Sequence, residues 1–154
     1  MLSGEASASD IGRTTGLPIP RFVSTKTQPA NVRVGPGLDY PVKWTFVRRG
    51  LPVEVIAEFD NWRRIRDWEG KDGWMFGQLL SGKRTALVAP WPRSRPVLLR
   101  ADGTNKAAAV AIVEPTVFVR VIGCDGQWCK VAAKREHGYL PQTSIWGAYP
   151  GEVF

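Results

Sequence analysis

The chain repeats itself. Val53-Glu54-Val55-Ile56 answers to Val119-Arg120-Val121-Ile122, and Trp62-Arg63-Arg64-Ile65 to Trp128-Cys129-Lys130-Val131. Gly73-Trp74-Met75 answers to Gly138-Tyr139-Leu140, and Leu80-Ser81-Gly82 to Ile145-Trp146-Gly147. The offset is 66 positions as far as Trp62 and Trp128, and 65 after one deletion. A repeat of this kind constrains architecture before any single motif does, because each copy is one structural unit. Within 52–82 the pattern reads strand, tight turn, strand, loop, strand and a short closing turn. Val53 and Val55 alternate with Glu54, and Asp60-Asn61 breaks the run as a hairpin turn.

The 16 glycines and 12 prolines punctuate short apolar runs, which favours many short strands over long helices. One helix candidate, the alanine-rich segment 105–111, fails on the repeat. Residues 106–113 align with 40–47, where Trp44 and Phe46 alternate with Lys43 and Thr45, so Val110 and Ile112 are expected to keep that strand alternation. Two units of about 65 residues in a chain of 154 each lie near the lower limit of independent stability. The expected fold is therefore all-β: two small barrels in tandem, packed on each other or stapled. The boundaries read as a flexible tail at 1–20, a first unit at 21–85, a second at 86–148 and a short tail at 149–154. The linker, 81–96, ends in a proline-rich stretch expected to be stiff and extended. Its Pro90-Trp91-Pro92-Arg93 is either plain linker or a segment that folds back on the first unit's binding face.

The net charge of +7 suits an anionic partner, whether nucleic acid, lipid surface or cell-wall polymer, and equally a soluble protein with acidic residues mixed throughout. The pairs Arg48-Arg49, Arg63-Arg64 and Lys83-Arg84 fall at turns and strand edges, where cations discourage edge pairing, so nucleic acid is disfavoured as a partner. No apolar run approaches the roughly 18 residues that span a membrane. The polar N-terminus shows no secretory signal, though a removed one would leave such a start. The compartment is read as periplasmic, or as cytoplasmic if Met1 is the native first residue.

Few residues invite chemistry. On the return strand of the first hairpin, alternation sends Ile65 to the core and Trp62, Arg64, Arg66 and Trp68 to the other face. Two readings stand for that face: tryptophans covered by neighbouring loops or the second unit with arginines stacked on them, or a binding surface of aromatic and cationic character. Cys124 and Cys129 flank a tight turn at a spacing that a disulfide can bridge. The parity of a flat hairpin points them apart, and a bulge at Gly123 would reconcile the two. His137, the single histidine, sits in a turn. Two thiols and one distant histidine do not complete a metal site. Gly35-Pro36-Gly37 lacks the lysine and helix of a phosphate-binding loop. No cofactor is expected.

Val32-Arg33-Val34-Gly35-Pro36, an aromatic at Tyr40, the apolar strand 42–46, Gly50, Val53 to Ile56, Trp62 and Gly73-Trp74 together resemble the bacterial SH3-like (SH3b) family. The chain looks most like the tandem SH3-like proteins of proteobacteria. The second copy resembles the family less: Ala101-Asp102-Gly103 replaces the Gly-Pro-Gly turn, Thr116 replaces Gly50 and Tyr139 replaces Trp74. The resemblance implies SH3-like barrels and a ligand groove between the loop after the first strand and the start of the return strand. That groove would hold Asp39, Tyr40 and Trp62, with Arg64, Arg66 and Trp68 beside it. It also implies a non-catalytic module of the cell envelope that binds peptide or peptidoglycan-type ligands. The alternatives are a protein-protein adaptor of an envelope assembly and, more remotely, a cysteine hydrolase using Cys129 and His137. The first unit is the expected binder and the second its support.

Overall fold

Period-two patterning decides the local structure almost everywhere. The computed structural model describes residues 10–154, and these form short strands and two single 3-10 turns. The first unit holds β1 (Asp10–Ile11), β2 (Pro18–Ile19), β3 (Arg21–Thr25), β4 (Ala30–Arg33), β5 (Val42–Phe46), β6 (Pro52–Phe59), β7 (Trp62–Arg66), β8 (Asp72–Phe76) and β9 (Leu80–Ser81), with a 3-10 turn at Gly77–Leu79. The second holds β10 (Thr85–Val88), β11 (Val97–Arg100), β12 (Ala109–Val113), β13 (Phe118–Cys124), β14 (Trp128–Ala133), β15 (Glu136–Pro141) and β16 (Ile145–Trp146), with its 3-10 turn at Gln142–Ser144. The chain divides into two compact units, one ending at Gly82 and the other running from Lys83 to Phe154, with Gly50–Pro52 grouped with the second.

The two sheets share one topology. Strand order is β5-β4-β8-β7-β6-β3-β9 in the first and β12-β11-β15-β14-β13-β10-β16 in the second, antiparallel throughout. The fold is all-β and tandem. Each unit closes on its own core. Val32, Val53, Val55, Ile65 and Met75 are fully buried in one. Leu99, Cys129, Val131 and Leu140 are fully buried in the other. Segment 105–111 runs into strand β12, not a helix. No helix among the described residues is long and apolar enough to cross a membrane.

Four local features depart from a straight reading of the pattern. First, β6 carries a bulge: Val55 pairs with Ile65, but Ala57 pairs with Arg64, leaving Ile56 as the extra residue. Second, β13 carries the same bulge at Ile122, since Val121 pairs with Val131 and Gly123 with Lys130. This places Cys124 opposite Cys129, and the two are joined as a disulfide with Cα atoms 4.1 Å apart.

Third, the β11–β12 hairpin lies 67 positions from its counterpart, not 66. Val32 pairs with Trp44, and Leu99 pairs with Ala111. A slip of one residue turns every side chain over. Ala111 and Val113 therefore face inward where Trp44 and Phe46 do, while Val110 and Ile112 are 48% and 66% exposed. Fourth, the proline-rich linker turns instead of running extended. Ala89 and Arg93 have φ of 42° and 62°, and the Ser94 N–H donates to the Trp91 carbonyl at 3.3 Å.

The chain is tied down at Asp10–Arg21 and at its C-terminus. Of the tail expected at 1–20, residues 1–9 lie outside the described residues, and from Asp10 the chain is paired and bonded. β1 pairs with β2. The N–H groups of Thr14 and Thr15 donate to Glu58 Oε2, both at 3.0 Å, and Arg21 donates to Glu58 Oε1 at 3.0 Å. At the other terminus, Cys124 and Phe154 exchange two backbone hydrogen bonds of 2.9 and 3.1 Å, and Arg84 binds Glu152 at 2.8 Å.

Candidate functional site

The register lays out the outer face of the first sheet in rows. Met75, Ile65 and Val32 point inward, so their neighbours along each strand point outward. In one row Phe59 pairs with Trp62 and Trp62 with Phe76. In the next, Arg64 pairs with Trp74 and Trp74 with Arg33. In the third, Arg66 pairs with both Glu54 and Asp72.

The first row builds a groove of about 600 Å³. Trp62 and Phe76, with ring centroids 5.7 Å apart and planes tilted by 58°, form its aromatic wall. Pro29, Leu38 and Leu79 complete the apolar lining, and Asn31 and Arg33 are its polar groups. Arg33 also positions the loop above it. Its Nη1 donates to the carbonyls of Tyr40 at 2.9 Å and Leu38 at 3.3 Å, while Val34 N–H donates to Pro41 O at 3.1 Å. The ring of Tyr40 lies on Gly35, where a Cβ would collide with it. Pinned in this way, the loop presents Leu38, 77% exposed, at the rim of the groove.

Of the residues picked from sequence, Trp62 is the one that lines the groove. Asp39 is exposed in the loop, and Tyr40, 46% exposed, packs on that loop's own glycine. Arg64, Arg66 and Trp68 follow Trp62 on the same face, but each step of two residues along a strand carries the side chain roughly 7 Å further away. Arg64 binds Asp72 at 2.6 Å and holds that carboxyl below its ordinary range. Arg66 binds Glu54 at 3.2 Å. Trp68, 41% exposed, sits in the turn past the end of β7. Among the described residues the groove is thus aromatic and apolar with a single cation, and the two strand arginines are offset by carboxylates. Sequence reasoning passed over Phe76 and Trp74, although alternation about Met75 places both outward. Leu38 had no signal in the pattern, since a loop bond from Arg33 puts it there.

The second unit treats the same place differently. Arg100 pairs with Tyr139, as Arg33 does with Trp74, and its Nη1 donates to Ala107 O at 2.9 Å. Here the loop folds down: a Cβ on Gly103 would lie 3.3 Å from Cβ and Cγ of Trp128 and 3.5 Å from Tyr139. Loop backbone therefore packs on the tryptophan equivalent to Trp62.

The disulfide stands at the register position of an ion pair in the first unit. Glu58 pairs with Arg63 across β6 and β7, with Nε 3.9 Å from the carboxylate, as Cys124 pairs with Cys129 across β13 and β14. His137 is exposed and pairs with Ala132, and the Cys129 sulfur is bonded and buried. No group of three or more metal-binding side chains is gathered among the described residues.

A profile of the family described as bacterial SH3 domain matches twice, over residues 26–82 and 93–147. No curated protein matches the chain. Among solved structures, NlpC2 and NlpC1 from Trichomonas vaginalis align over 82% and 88% of this chain, each at 11% identity and a TM-score of 0.37. The chain spans about half the length of those proteins, 48% of each.

Proposed function

The chain belongs to the bacterial SH3 domain family, whose members are binding modules, and from that premise we propose that it is a non-catalytic binding protein of the cell envelope. Its ligand is a peptide or peptidoglycan-type chain seated in the groove of the first unit. One observation carries the reading: a groove of about 600 Å³ walled by Trp62 and Phe76 opens in the first unit, whereas loop backbone at Gly103 packs on Trp128 in the second. Exposed aromatic walls with few polar groups hold the apolar parts of a ligand, and the groups at Asn31 and Arg33 fix its orientation. The disulfide supports an oxidising compartment, hence the periplasm. The hydrolase alternative would need a free thiolate at Cys129, whose sulfur is bonded to Cys124.

The test is retention of the full chain on purified cell-wall sacculi. Trp62→Ala and Phe76→Ala are expected to weaken retention at least about tenfold, as loss of a central aromatic anchor does. Trp68→Ala, outside the groove, is expected to leave it unchanged. Wild type that is not retained, or equal weakening by all three variants, refutes the peptidoglycan reading. The adaptor reading rests on the same apolar wall, which suits a segment of a partner protein. It takes over if the sacculi fail and an envelope protein is captured only while Trp62 is intact.

A further inference from the structure

The repeat supplies an internal comparison for the second unit, independent of the groove in the first. In the β4–β5 hairpin, Val32, Trp44 and Phe46 face inward, and the two rings meet edge to face with centroids 5.8 Å apart. The matching inward positions of β11 and β12 hold Leu99, Ala111 and Val113. Leu99 is larger than Val32 and reaches Gly138, taking part of the space. It does not replace two ring systems. An opening of about 440 Å³ remains there, lined by Leu99, Ala111, Val113, Val117 and Ala133.

Three further features bear on what would enter it. Glu114, Lys134, Arg135 and Glu136 stand at its rim, two of each sign, which favours an uncharged group over an ion. β12 ends its sheet and pairs only with β11 among the described residues, so its outer edge offers backbone groups to another strand. The side chains beside that edge are apolar. Leu98 and Ile112, paired and 40% and 66% exposed, replace Asn31 and Thr45, which hydrogen-bond to each other at 2.9 Å. Lys43 of the first unit's edge has become Val110. The first edge carries the polar and charged residues that discourage pairing, and the second lacks them.

We infer that the opening beside Ala111 and Val113 is a second binding site, a socket for the aromatic ring of an extended, uncharged peptide laid along β12. The sister repeat indicates the occupant's chemistry, since its own indole and phenyl rings pack on the core from the equivalent positions. Strand addition at an open edge with a side chain dropped into a pocket is an established mode of peptide recognition.

Indole and N-acetyl-tryptophanamide, titrated into the full chain with methyl-labelled alanine, test it by NMR. The expected result is a saturable shift of the Ala111 and Ala133 methyls with a midpoint on the order of 1 mM, a fragment's affinity. That shift persists in Trp62→Ala, so loss of the first groove leaves it intact. Ala111→Trp is expected to fold, fill the socket with its own ring and abolish the shift at Ala133. The inference is overturned if neither methyl saturates or if Trp62→Ala removes the response. It fails equally if folded Ala111→Trp still binds, or if Ala111→Trp cannot fold, because the room for a ring is then absent. Concentration-dependent shifts without indole, lost in Ile112→Lys, would assign the edge to a second copy of the chain and overturn it too.

Discussion

Replacing Glu58 by glutamine isolates the interaction that fastens the N-terminal segment to the first barrel. The Glu58 side chain is 1% exposed. Burial alone would raise its pKa, but the Thr15 hydroxyl, the Thr15 and Thr14 N–H groups and Arg21 outweigh it and hold the carboxyl at about 2, against an ordinary 4.5. A difference of that size corresponds to roughly 3 kcal/mol favouring the folded state when the group is ionised. The folded value is the depressed one, so this stability is fully present above pH 4.5 and is lost as pH falls toward 2. An amide offers one acceptor atom where the carboxylate offers two, and turns its NH₂ toward the donors on the other side. Glu58→Gln is therefore expected to destabilise the first unit by roughly 1–3 kcal/mol at pH 7, the net worth of hydrogen bonds to a charged group. By pH 2.5 most of the gap between wild type and variant closes. Urea unfolding at both pH values, read at the buried Ile65 amide by NMR, measures this directly. Other carboxylates titrate in both proteins and cancel. A gap below about 0.5 kcal/mol at pH 7, or one that does not narrow in acid, refutes the reasoning.

Two further outcomes follow from bonds already described. Arg33→Ala removes the donor to Leu38 O and Tyr40 O. It should cost about 1–2 kcal/mol, speed hydrogen exchange across 34–41 and weaken groove binding, all read by exchange mass spectrometry and the sacculus assay. Unchanged exchange there would show that Arg33 does not position the loop. Reduction of the disulfide, or Cys124→Ser with Cys129→Ser, opens a short loop and should lower the stability of the second unit by about 2 kcal/mol. Protection of Val131 falls while that of Ile65 stays, and an equal change at both would contradict a local staple.

The repeat made the topology legible, because two copies with matching strand and turn order must pair their strands alike. Burial of Val53, Val55 and Ile65 followed from alternation, and the repeat overruled helix propensity at 105–111. What escaped were one-residue events. A bulge at Ile56 or a slip in the β11–β12 hairpin changes no composition and barely alters an alignment, yet it reverses inside and outside. Trp62 was found because a return strand without a bulge preserves parity. Its groove partners were missed because they come from β4, β8 and a loop, and only the pairing of distant strands brings them together.

The bulge repeated at Ile56 and Ile122 acts as a frameshift in a code of period two. Upstream of Ile56 the odd-numbered residues Val53 and Val55 read as interior; downstream the even-numbered Glu58 does, and Phe59 is thrown outward beside Trp62. In the second copy the same shift turns Cys124 inward to meet Cys129. The extra residue thereby sets two distinct closures, a carboxylate clasping the incoming chain and a disulfide beside the outgoing one. Were Ile56 drawn into the ladder opposite Arg64 instead of bulging, Glu58 would fall opposite Trp62 on the outer face. The aromatic row and the carboxylate clasp would go out of frame together, so binding face and N-terminal anchor share one point of failure.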